Sequence, residues 1–106
     1  MHRSGTSALT RVLNLMGVEL GNNLMTADHS NEKGYWENTE IVSINDAILE
    51  GFSMEWDSYN LLPDKWMLSE NILAKKVEII DLINSEFSSN ELWGVKDPRI
   101  CRLFPL

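Results

Sequence analysis

The chain has 106 residues, 43% of them hydrophobic, and a formal net charge of −7 at pH 7. That length suits one small domain, and the acidic balance argues against a general nucleic-acid or polyanion surface. The single cysteine, Cys101, excludes an internal disulfide and fits a reducing compartment, so a cytoplasmic location is expected. No apolar run approaches the ~20 residues of a membrane helix, and no signal-peptide pattern precedes the first motif.

Residues 1–16 read as a tight polar turn running into an amphipathic helix. Leu9, Val12, Leu13 and Met16 fall at the spacing of one helical face, and Gly17 suits a left-handed C-terminal cap. Ahead of that face, Ser4, Gly5, Thr6 and Ser7 supply hydroxyls, a glycine that lets the backbone approach a ligand, and helix-start amides without internal partners. The macrodipole adds partial positive charge there, so a phosphate or sulfate fits. Arg3 adds a permanently charged, forked donor, and His2 is a further candidate contact. The plainer alternative is Ser4 or Thr6 capping an ordinary helix. A Walker loop carries Lys directly before its Ser/Thr. Here Gly5 precedes Thr6 and the basic residue stands before the glycine, which disfavours magnesium-dependent ATP hydrolysis.

Further along, residues 17–21 alternate polar and apolar between two glycines and predict a very short extended piece. Residues 22–33 form a polar loop containing Asp28, His29 and Asn31; Asp28 and His29 alone are too few ligands for a metal site. A helix is expected from Asn38 or Thr39, with Ile41, Ile44, Ile48 and Leu49 on one side and Gly51 ending it. Residues 52–66 are irregular and aromatic. The longest predicted helix runs from Ser69 to Phe87, its inner face marked by Ile72, Lys76, Ile79, Ile80, Ile83 and Phe87. Leu92 to Val95 is the best strand candidate and belongs in a parallel sheet. Pro98 suits the first turn of a short helix over 98–103. Cys101 and the four tryptophans Trp36, Trp56, Trp66 and Trp93 read as buried, although the 56–66 loop is also a candidate floor for an acceptor pocket.

Three blocks, taken in order, carry a resemblance: His2-Arg3-Ser4-Gly5-Thr6-Ser7, Lys33-Gly34-Tyr35-Trp36-Glu37, and Gly94-Val95-Lys96-Asp97-Pro98-Arg99. Together they resemble the first half of a sulfotransferase that uses 3'-phosphoadenosine 5'-phosphosulfate (PAPS). The resemblance implies an α/β fold, a partial three-layer α/β/α, P-loop-like arrangement similar to that of nucleotide kinases. This stretch of it would be mostly helical, with the first strand and the C-terminal half missing, so the chain reads as a fragment of a longer protein.

The same resemblance implies roles. Arg3 is similar in position to a loop lysine that contacts the transferring sulfuryl group, and Ser4, Gly5, Thr6 and Ser7 would cradle the 5'-phosphosulfate. Glu37 looks like the general base of members acting on proteins or glycans, and the plain alternative is a carboxylate satisfying a helix dipole. Glu40 is the next candidate and fits an exposed helix position better. Lys96 resembles a lysine that stabilises the transition state. Asp97 and Arg99 fit a structural turn, with Asp97 capping the short helix or holding Lys96 or Arg99. The implied co-substrate is PAPS, the acceptor a hydroxyl on a glycan, protein or small metabolite, and no metal is needed where Arg and Lys do the charge work. Residues that bind the 3'-phosphate would follow Leu106, so the fragment alone is expected to bind donor feebly and to be inactive. The rival readings are a non-catalytic nucleotide- or anion-binding module and a kinase-like phosphotransferase.

Overall fold

The computed structural model describes residues 5–29, 31–32 and 34–105. Among these described residues, four α-helices follow in chain order: α1 (Thr6–Leu15), α2 (Thr39–Glu50), α3 (Glu70–Phe87) and α4 (Ile100–Leu103). A single 3-10 turn, Trp66–Leu68, precedes α3. The chain is mostly helical, as expected, and the described residues carry no strand beyond isolated bridges.

α2 and α3 pack on each other because each carries an apolar stripe at helical spacing. Ile48 and Leu49 of α2 meet Ile72 of α3, Met54 of the loop after α2, and Leu103 of α4, all buried. Each such fully buried aliphatic side chain contributes about 1.5–3 kcal/mol of hydrophobic stabilisation. α2 begins at a true cap: the Asn38 side chain accepts from the amides of Glu40 (3.0 Å) and Ile41 (3.2 Å). Of the expected inner face of α3, Ile72 and Phe87 are buried, and Ile79 and Ile83 half-buried. Lys76 and Ile80 are exposed. The packed stripe is thus narrower than the run of isoleucines implies.

The two short extended pieces do find each other. Glu19 and Trp93 form a parallel bridge, with the Glu19 amide donating to the Leu92 carbonyl (3.0 Å) and the Gly94 amide to the Glu19 carbonyl (2.9 Å). Phe87, at the end of α3, stacks on the Trp93 ring at 5.0 Å and pins this pair to the helices. The parallel sense expected of residues 92–95 is present, reduced to one bridge.

α1 departs most from expectation. Its buried residue is Thr10, and Ser7 and Asn14, on the same face, are half-buried. Leu9, Val12, Leu13 and Met16 are all exposed, so the polar stripe faces the rest of the protein and the apolar stripe faces away. Thr10 tolerates this because its hydroxyl donates to the Thr6 carbonyl (2.8 Å). The helix closes at Leu15 with Met16 as its cap, and the next residue, Gly17, has a φ of 101°, the left-handed conformation that glycine adopts without strain. Two aromatic expectations also fail: Trp56 and Trp93 are exposed, whereas Trp36 and Trp66 are half-buried. Cys101, expected to be buried, is exposed as well.

A candidate anion and proton-transfer site

Glu37 stands immediately before the α2 cap, and its backbone is fixed from both sides. Its carbonyl accepts from the Met25 amide at 2.7 Å, and the Thr39 amide donates to the Asn23 carbonyl at 2.8 Å. Just upstream, Trp36 adopts a φ of 58°, left-handed backbone that costs a non-glycine residue roughly 1–2 kcal/mol. The Arg11 guanidinium lies 4.7 Å from the Trp36 ring centroid, a cation–π contact that offsets part of this. The twist at Trp36 accompanies a change of direction that sends Glu37 inward, where it is only 5% exposed.

Lys96 approaches from the other side. It follows the Trp93 bridge, and its ammonium bonds Glu37 Oε1 while lying 3.5 Å from Ser7 Oγ in the first turn of α1. The Ser7 hydroxyl in turn donates to the Tyr35 carbonyl at 3.4 Å. Side-chain exposure is 13% for Lys96 and 7% for Glu37, so this ion pair is largely withdrawn from water. The opening of α1, the Tyr35–Glu37 segment and the residue after the short extended piece therefore meet at one ammonium group.

A second cation completes the surroundings of Glu37. Arg99 Nη1 lies 3.8 Å from Glu37 Oε2, within ion-pair range and beyond a hydrogen bond. Arg99 is anchored elsewhere: Nη1 donates to Asp97 Oδ1 (2.9 Å), Nη2 to Asp46 Oδ2 (3.0 Å), and Nε to Asp46 Oδ1. Asp97 is fixed by the Asn45 amide group on its other oxygen (2.8 Å) and by the Arg99 backbone amide (3.0 Å). Burial by itself lowers the Arg99 pKa, but hydrogen bonds and negative charge from Asp46 and Asp97 outweigh it. The net direction is up. Sequence reading assigned Asp97 and Arg99 a structural turn and passed over Asn45 and Asp46. The available signal was Asn45, a polar residue in the α2 stripe between Ile41 and Ile48.

At the start of α1, Gly5 has a φ of 83° and provides no side-chain cap. Among the described residues, the amides of Thr6, Ser7 and Ala8 have no acceptor. Thr6, Lys96, Asp97, Pro98 and Cys101 line a cleft of about 60 Å³ beside this end. That volume holds a small group and is well below the ~300 Å³ where whole small-molecule pockets begin. Of the expected loop residues, Gly5, Thr6 and Ser7 are placed here; His2, Arg3 and Ser4 lie outside the described residues, as does Lys33 of the second block. Glu40 is exposed on α2 and accepts from the Asn23 side chain, so it does not reach the Lys96 cluster. His29 is exposed, and the described residues contain no cluster of three metal-ligating side chains.

The sequence matches no family model, no curated protein and no solved structure. No helix among the described residues is long and apolar enough to cross a membrane.

Proposed function

We propose that this chain is the N-terminal part of a P-loop-like α/β sulfotransferase domain that moves a sulfuryl group from PAPS to a hydroxyl acceptor. The observation that carries the reading is the meeting of Ser7, Glu37 and Lys96, which come from three separate sequence blocks, around one ammonium group. Sulfuryl transfer asks for a cation at the oxygen that bridges donor phosphate and sulfur, donors around the phosphate, and a base near the acceptor.

In this reading the α1 amides and the Thr6 and Ser7 hydroxyls hold the 5'-phosphosulfate, together with Arg3 and Ser4. PAPS supplies a sulfuryl group on a good leaving group. Lys96, already within reach of Ser7, neutralises charge on the departing phosphate oxygen. Glu37 accepts the hydroxyl proton as the acceptor oxygen bonds to sulfur and the sulfur–oxygen bridge to the phosphate breaks. The α1 amides, which meet no acceptor among the described residues, and the adjacent, largely withdrawn ammonium fit an anionic donor.

Calorimetric titration with 3'-phosphoadenosine 5'-phosphate, on the protein carrying this sequence at its full natural length, tests the reading. Saturable heat is expected; folded protein that gives none would defeat it. One observation favours a second reading, an anion-binding module without transfer chemistry: both Glu37 oxygens already face cations. Glu37→Gln separates the two. An enzyme keeps its donor affinity and loses about 10²–10⁴-fold in turnover, whereas a binding module has no turnover to lose.

A further inference from the structure

The two cations at Glu37 are held very differently. Lys96 is a point charge on a flexible stem, with Ser7 Oγ as a second neighbour at 3.5 Å, and so can exchange a carboxylate oxygen for a donor oxygen with little rearrangement. The Arg99 guanidinium cannot turn without releasing Asp46 from Nε and Nη2 and Asp97 from Nη1. Asp97 is itself locked by Asn45 from α2. These anchors hold the Arg99 fork with one edge toward Glu37 Oε2 at 3.8 Å, the oxygen opposite the one that Lys96 bonds.

We propose that Arg99 is a positioning residue that keeps the Glu37 carboxylate aimed at the acceptor while Lys96 turns from it to the sulfate donor; this rests on the sulfotransferase reading above. A base released by its only cation at the moment of reaction would lose its orientation. A rigid second cation on the opposite oxygen prevents that without blocking the oxygen that takes the proton. Asp46, Asp97 and Asn45 act one step further out, by fixing the guanidinium plane. A lysine at position 99 keeps the charge but not the fork, so the rigidity and the charge can be tested apart.

The experiment compares Arg99→Lys, in the wild type and in a Glu37→Gln background, at full natural length. Turnover, acceptor KM, donor affinity and melting temperature are measured in each. Arg99→Lys should lower kcat about tenfold to a hundredfold, the scale of a misplaced catalytic group, with acceptor KM and donor affinity held to within about twofold. In the Glu37→Gln background it should change turnover less than about twofold, because no base remains to be aimed. An unchanged kcat in Arg99→Lys overturns the inference and leaves the sulfotransferase reading standing. So does an equal drop in both backgrounds, or a drop that follows lost donor affinity and melting temperature, since each marks a purely structural role. If Arg99→Lys does not fold, Asp46→Asn replaces it; this variant retains Arg99 and loosens its far side, and the same pattern is required of it. Wild-type protein that neither binds the desulfated nucleotide nor transfers sulfate overturns the underlying reading, and this inference with it.

Discussion

The Lys96 ammonium bonds the Glu37 carboxylate across 59 positions of sequence, and both side chains are nearly buried. The pair draws together the end of the short extended piece and the start of α2, with Ser7 of α1 as third neighbour. Its energetics set the first expectation.

Removing one member of a buried pair leaves a charge that water cannot reach. Lys96→Met should therefore destabilise the protein by about 3 kcal/mol, read as a shift in the urea midpoint with unchanged slope. The Lys96→Met/Glu37→Gln double variant should cost less than the sum of the two single changes, with a coupling of about 0.5–3 kcal/mol. Strict additivity would show that the two groups do not interact in solution.

Gly21 sits where a side chain has no room. Its φ is +88°, and a Cβ there would meet the Glu86 carboxylate, the Asn38 side-chain nitrogen at 2.7 Å and the Phe87 ring at 3.0 Å. Gly21→Ala should cost about 2 kcal/mol or more from strain and overpacking combined. It should also disturb the Asn38–Glu86 hydrogen bond (2.7 Å) beside the α2 cap. Gly5→Ala meets open space at a φ of +83°, so only the conformational cost remains, about 1–2 kcal/mol. Equal losses from the two variants, in thermal melts, would contradict the crowding seen at Gly21.

Cys101 is exposed and shares a cleft with Thr6 and Lys96. It should react with a maleimide in the folded protein without denaturant. Under the proposed function, 3'-phosphoadenosine 5'-phosphate should slow that labelling by occupying the neighbouring space. Labelling that needs denaturant would place the thiol elsewhere, and nucleotide-independent labelling would count against a donor phosphate near Lys96.

Arg99 sets a pH expectation. Its folded pKa is raised despite desolvation, by Asp46 and Asp97. A cation whose pKa rises on folding contributes stability that is complete below its unfolded value and is lost only above its folded one. The stability difference between wild type and Arg99→Gln should therefore stay constant from neutral pH to about pH 10, below the titration range of arginine. A difference that shrinks over that range would mean the guanidinium loses its partners first.

What the sequence determined by itself is local. Periodicity placed α2 and α3 to within a residue or two, Asn38 was one of the two caps expected, and Gly17, just past the cap of α1, has the left-handed conformation expected of it. These features are legible because helix hydrogen bonds and caps join residues a few positions apart. The blocks holding Ser7, Glu37 and Lys96 could likewise be picked out by residue type and order. The sequence offered Asp97 as a partner for Lys96 or Arg99, and Arg99 takes it; tertiary structure alone decided the distant partners, Glu37 for Lys96 and Asp46 for Arg99. It also decided that α1 turns Thr10 inward and Leu9 outward, reversing the sense its pattern implied. A helical pattern fixes which residues share a face, but the face that becomes buried depends on what packs against it, and that is settled by residues far away in sequence.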